Sequence, residues 1–163
     1  MVEVDHTRSV RVRAPLELVW NELSPLDRVI RQIPEVAYFK VQPDGRSLEL
    51  STRLSWGPLN WKFARATVAE AAAPRLMQWR GHAPSLQLDF EGTFELQPVP
   101  NGDDTMLTYR GVLRCRHKLV GRLRGPLASY IEAHVNSLTG RVAELAVQHA
   151  EADQRLGRRP DAE

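Results

Sequence analysis

The chain lacks the features that mark several large classes of protein. It holds one cysteine, Cys115, in 163 residues, so no internal disulfide can form and a disulfide-stapled scaffold is excluded. No run of about 20 apolar residues occurs, so the sequence predicts no integral membrane segment. The N-terminal segment is polar, so we expect no signal peptide and a cytoplasmic location.

Motifs for catalytic metals, nucleotides and nucleophiles are also missing. The five histidines show neither the HExxH spacing nor a close His/Cys cluster, so we expect no metal site. No GxGxxG, Walker loop or Gly-x-Ser-x-Gly elbow is present, and we expect no cofactor. The formal net charge is only +2, and no stacking aromatics interleave with the clustered arginines, so nucleic acid is not an expected partner.

Composition and length fit one globular domain. The hydrophobic fraction of 42% and the charged fraction of 26% are ordinary. We predict a single domain over residues 1–150. The charged tail, residues 151–163, is expected to fray or be disordered.

The end of the sequence shows helical periodicity. Apolar residues fall on one helical stripe, and they are Leu127, Ile131, Val135, Leu138, Val142 and Leu145. This spacing predicts a long amphipathic helix that begins near Pro126.

The middle of the sequence alternates at period two between turn residues, which predicts strands. Including a first strand near the N-terminus, the expected strands are His6–Arg13, Val36–Gln42, Ser47–Trp56, Leu59–Glu70, Arg75–Gly81, Leu86–Leu96 and Thr105–Cys115. Two short helices are expected after the first strand, the first carrying Leu16 to Leu23 on one face and the second running from Ser24 to about Ile33. Because a sheet face and a helix stripe must both be buried, we predict an α+β fold in which a curved, seven-stranded antiparallel sheet wraps around the C-terminal helix.

Short motifs across residues 4–148 carry a family resemblance. They are Val10-x-Val12-x-Ala14-Pro15-x-x-x-Val19-Trp20, Ile33-Pro34-x-Val36, Trp56-Gly57-Pro58-Leu59, Ala66-x-Val68-x-Glu70 followed by Trp79, Thr105-x-Leu107-x-Tyr109 and Leu119-Val120-Gly121-x-Leu123. With the element order, they make the chain resemble the START-like (SRPBCC) helix-grip superfamily. Its members include polyketide cyclases/dehydrases, the birch pollen allergen group and relatives of an accessory protein of carbon monoxide dehydrogenase. The resemblance implies a helix-grip fold, but that fold hosts binders, cyclases and hydrolases alike.

Aromatic side chains are the main candidates for a binding site. Alternation places four of them on the face that should meet the helix: Trp56, Trp79, Phe90 and Tyr109. Ordinary core packing explains any one of them, whereas the set, together with the resemblance, favours an apolar ligand cavity.

Two polar side chains interrupt the aliphatic surface of the closing helix. Tyr130 and His134 are one turn apart and are candidates for hydrogen bonds to a ligand carbonyl or for acid–base catalysis. The simpler interpretation of His134 is a hydrogen-bonded histidine packed against the sheet. Arg80 and Arg110 have outward parity and are expected on the surface.

A basic run precedes the closing helix. It contains no acidic residue and carries Arg114, Arg116, Lys118, Arg122 and Arg124. A weak contact with an acidic partner or an anionic membrane surface is one interpretation; a solvated loop is the other. Cys115 lies within the run, where a thiol of lowered pKa or a simple buried cysteine are the alternatives.

The sequence leaves three functions open. The leading hypothesis is binding of a hydrophobic or aromatic small molecule between the sheet and the closing helix. The second is a cyclase/dehydrase-type enzyme with His134 or Tyr130 as general acid/base. The third, implied by the resemblance to the carbon monoxide dehydrogenase branch, is a non-catalytic accessory protein of a redox or metal-cofactor enzyme.

Overall fold

The computed structural model describes residues 1–24, 26–33, 36–52, 54–56, 59–61, 64–84, 87–118 and 122–157, with residues 26, 52, 54–56, 59–61, 64–66 and 68–70 described by their backbone alone. The elements follow one another as β1 (Val2–Val12), α1 (Leu16–Asn21), α2 (Leu26–Ile30), β2 (Val36–Val41), β3 (Ser47–Thr52), β4 (Leu54–Trp56), β5 (Leu59–Trp61), β6 (Ala64–Ala72), β7 (Leu76–Ala83), β8 (Leu88–Pro98), β9 (Thr105–Cys115) and α3 (Arg124–Gly157).

Seven strands of the described chain form one antiparallel sheet, in the order β1-β9-β8-β7-β6-β3-β2. The predicted α+β class and seven-stranded sheet are therefore confirmed. β9 pairs along its whole length with β1 on one side and β8 on the other. This makes β9 the strand around which the two flanking strands are registered.

Two predicted strands are each divided. The segments predicted as Ser47–Trp56 and Leu59–Glu70 become β3 with β4 and β5 with β6, and β4 pairs only with β5. The ladder between β3 and β6 stops at Leu50 and Ala64, and β2 extends only to the partner of Thr52. Beyond these points the chain has no neighbouring strand in the main sheet, so its backbone groups pair within a separate hairpin.

Helix α3 packs along β1 and β9 and buries the predicted stripe. Its buried side chains are Leu127, Ile131, His134, Val135, Leu138, Thr139, Val142, Ala146 and Ala150. Leu145, predicted to lie on the stripe, is only half-buried, and Ala146 takes its place. The contact line rotates around the helix because the sheet beneath it is twisted.

The two ends of α3 differ from their prediction. The helix begins at Arg124, so Pro126 lies in the first turn, where no backbone N–H is required. It continues to Gly157 with residues 151–157 exposed, whereas fraying was expected from residue 151. Glutamate, alanine, glutamine and arginine in this stretch are strong helix formers, and this explains the extension. Residues 158–163 lie outside the described residues.

Candidate functional site

The inner face of the sheet, which is the face toward α3, gathers a cluster of rings. β7 contributes Trp79, β8 contributes Phe90, and β9 contributes Tyr109. Phe90 lies edge-on to both Trp79 and His134, with ring centroids 5.5 and 5.4 Å apart. Tyr130 stacks on His134 at 5.9 Å. Five of the six side chains predicted for the site therefore lie together; the side chain of the sixth, Trp56, lies outside the described residues.

A hydrogen bond joins the sheet to the helix at the centre of this ring cluster. The Tyr109 hydroxyl and His134 Nε2 are 3.2 Å apart, and both side chains are buried. The bond holds the imidazole of α3 in place over β9. It also supplies the partner that a buried histidine requires, in line with the simpler of the two interpretations of His134.

Burial keeps both partners of this bond neutral. Removal from water lowers the pKa of His134 to about 4, because desolvation disfavours the imidazolium. The same effect raises the pKa of Tyr109 well above its usual value, and the neighbouring Trp79 indole opposes that rise only in part. At neutral pH the centre of the cluster therefore carries no charge of its own.

The indole N–H of Trp79 is the exception to this satisfied network. The side chain is 4% exposed, and the nitrogen has no partner with hydrogen-bond geometry among the described residues. It lies near the Tyr109 hydroxyl without completing a hydrogen bond. A buried donor of this kind costs about 1–3 kcal/mol until an acceptor reaches it.

Two residues of the site escaped the sequence prediction. Phe94 stacks on Tyr109 with centroids 4.1 Å apart and ring planes 11° apart, so it fixes the tyrosine ring from the adjacent strand. Gly92 lies beneath Trp79 and Tyr109, where a Cβ would overlap the indole nitrogen. The signal for Gly92 was present, because a glycine inside an alternating strand often marks a close approach.

The remaining candidates lie on the outer face or before α3. Arg80 and Arg110 are exposed on the outer face, as predicted. Arg114 and Arg116 donate to Glu3 at 2.7 Å and Asp89 at 2.8 Å, so the first part of the basic run is paired with acids. The rest of the described run is exposed before or at the start of α3, namely Lys118, Arg122 and Arg124. Cys115 is buried.

Metal clusters and membrane-spanning helices are absent from the part of the chain that the structure describes. No group of three or more histidine, cysteine, aspartate or glutamate side chains in the described ranges is arranged to hold a metal ion. None of the helices in those ranges combines the length and hydrophobicity that a membrane crossing requires.

Several solved structures share this fold. A conserved protein from Geobacillus kaustophilus superposes with a TM-score of 0.68 at 15% identity, covering 90% of this chain and 96% of its own. The Zhui aromatase/cyclase from Streptomyces sp. R1128 gives a TM-score of 0.63 at 15% identity, covering 92% and 94%. Norcoclaurine synthase from Thalictrum flavum gives 0.63 at 13% identity, covering 91% and 96%. At these identities the similarity establishes the helix-grip fold.

The amino-acid sequence supports a family assignment. No curated protein matches it at a significant level. A family model does match, and it spans residues 1–147. The chain therefore belongs to the family described as polyketide cyclase/dehydrase and lipid transport.

Proposed function

We propose that the protein binds a hydrophobic or aromatic small molecule on the inner face of the sheet, against the ring cluster. The observation that carries the proposal is the gathering of five rings from three strands and α3 around one neutral histidine. Trp79, Tyr109 and His134 are buried, whereas Phe90 and Tyr130 remain half-buried at the margin. Apolar walls with few polar groups are typical of small-molecule sites.

The polar groups of the cluster suit an uncharged ligand that carries an oxygen acceptor. Neutral His134 and Tyr109 offer hydrogen-bonding groups without a fixed charge. The unpartnered Trp79 N–H is a donor that a ligand oxygen can satisfy if the rings shift on binding. Burial of about 150 Å² of apolar ligand surface contributes roughly 4 kcal/mol before association costs, so well-placed polar contacts decide the affinity.

A ligand panel tests the proposal. The purified protein is titrated with quinones, polyketide-like aromatics and fatty acids, and tryptophan fluorescence and Tm are recorded. We expect at least one class to shift both signals and Phe90→Ala to weaken that response. Tyr38→Ala is the matched control, because Tyr38 is an exposed aromatic side chain on the edge strand β2. If no class changes either signal, or if both variants weaken binding equally, the proposal is wrong.

Cyclase-type catalysis in the same site is the second candidate. It is favoured by the Tyr109–His134 hydrogen bond beside Tyr130 and by the names of two similar structures, an aromatase/cyclase and a synthase. Against it, a base with a pKa of about 4 is weak at neutral pH. His134→Ala should abolish turnover with the fold retained if the histidine is the catalytic residue; an active, folded variant removes that assignment.

A further inference from the structure

A groove of about 450 Å³ lies on the outer face of the sheet, over β6 to β9 and on the side opposite to α3. Its charged lining comes from three adjacent strands and the residue that follows β9: Arg80, His82, Asp89, Glu91, Arg114 and Arg116. Gly81 and Phe90, which are partners across β7 and β8, form part of its floor. The sheet itself separates this groove from the ring cluster, so the two sites are independent.

Two guanidinium groups in the groove converge on one point. Arg80 Nε and Arg114 Nη1 lie 3.6 and 3.7 Å from the same oxygen, Oε2 of Glu91. Charge-assisted hydrogen bonds between such groups are about 2.7–2.9 Å long. The Nε of Arg114 is already bonded to Glu3 at 2.7 Å, so its Nη groups are the ones that serve the groove. Glu91 therefore occupies the space between the two arginines loosely and leaves both with donors toward the groove.

The other acid of the groove is fully engaged. Asp89 accepts from Arg116 Nη2 at 2.8 Å and contacts His82 Nδ1 at 2.7 Å. Three arginines thus face two carboxylates in the lining, and one of those carboxylates is already in short contacts on both oxygens. The lining carries a net positive charge, and its free donors meet between Arg80 and Arg114.

We propose that this outer groove binds the phosphate group of a small, diffusible ligand, with its oxygens bridging Arg80 and Arg114. A tetrahedral oxyanion can accept from several guanidinium groups at once, whereas one bidentate arginine already saturates a carboxylate. The volume of the groove exceeds that of a phosphate ion, so it also accommodates the organic part of a monoester. A flat anionic membrane is disfavoured, because Glu3, Asp5 and Glu95 are exposed on the same face.

Backbone amide NMR of the full chain, titrated with inorganic phosphate and with phenyl phosphate at constant ionic strength, tests this binding. We expect saturable shifts at Arg80, Glu91 and Arg114, with Tyr130 and its neighbours unmoved. Arg80→Ala should weaken binding about fivefold or more, the loss expected for a charge-assisted hydrogen bond. Glu91→Gln should tighten binding, because it removes the negative charge that competes for the same two arginines.

Arg11→Ala is the matched control. Arg11 is 60% exposed, is paired with Asp104, and lies on the same face outside the groove. It removes the same charge, so an equal loss of affinity in this variant means general electrostatics and overturns the site. Linear shifts without saturation, or weaker binding in Glu91→Gln, overturn it as well. Binding to phosphatidylcholine vesicles containing phosphatidylglycerol without a saturable phosphate response replaces the small ligand with a membrane surface and overturns the proposal.

Discussion

Trp79 and Gly92 are directly opposite each other on β7 and β8, and the indole of Trp79 covers the glycine. A Cβ at position 92 would overlap Nε1 of the indole and would stand 2.7 Å from the Tyr109 hydroxyl. The rings of the inner face therefore lie flat on the sheet because this position has no side chain.

Gly92→Ala should displace the Trp79 ring and loosen the ring cluster. We expect a loss of about 1–3 kcal/mol in the free energy of unfolding, the usual cost of overpacking, and a changed near-ultraviolet circular dichroism spectrum from the tryptophan. Gly125→Ala is the control, because a Cβ there meets nothing within 4 Å and alanine favours the helix. Equal urea midpoints for the two variants would contradict the close approach.

Much of the fold could be predicted because its signals are local. The alternation along Thr105–Cys115 predicted a strand with the bounds of β9, and the spacing from Leu127 to Val142 predicted the buried stripe of α3. The division of Ser47–Trp56 could not be predicted, because it depends on where the neighbouring strands end rather than on residues within the segment.

The site was predictable only as a set of faces. Parity placed Trp79, Phe90 and Tyr109 on the inner face, and the helical stripe placed His134 opposite them. The hydrogen bond between Tyr109 and His134 depends on the register between β9 and α3, which periodicity does not determine. The outer groove escaped prediction for the same reason, since its charges come from three strands whose alignment only the structure gives.

Gly111 governs how closely α3 approaches the sheet. A Cβ at this position would lie 2.7 Å from Ile131 Cδ1 and 3.0 Å from Val135 Cγ2. Gly111→Ala should therefore cost about 1–3 kcal/mol of stability. Ile131→Val removes the clashing Cδ1, so the double variant should recover part of that loss, and a double-mutant cycle by urea unfolding measures the coupling. Strict additivity of the two changes would show that the contact is absent.

Tyr109→Phe tests the hydrogen bond between β9 and α3. Phenylalanine keeps the stacking on Phe94 but leaves Nε2 of buried His134 without its partner. We expect a loss of about 1–3 kcal/mol, the cost of an unsatisfied buried group. Tyr38→Phe, at a side chain exposed on β2, should change stability by less than about 0.5 kcal/mol. Indistinguishable unfolding curves for the two variants would remove the energetic role of the bond.

His134 should make stability fall in mildly acidic solution. Its pKa is about 4 in the folded protein and 6.5 in the unfolded chain, so between these values only the unfolded chain takes up the proton. The contribution of neutral His134 is therefore complete above pH 6.5 and is lost as pH falls toward 4, by about 3 kcal/mol in total. Urea unfolding at pH 7 and pH 4.5 should show a loss that is roughly 2 to 3 kcal/mol smaller in His134→Gln, since glutamine does not titrate. His82→Gln, at a side chain 54% exposed, is the control and should retain most of the wild-type loss. An NMR titration of the His134 ring with a midpoint near 6.5 would show instead that the imidazole is hydrated, and the burial argument for a neutral site would fail with it.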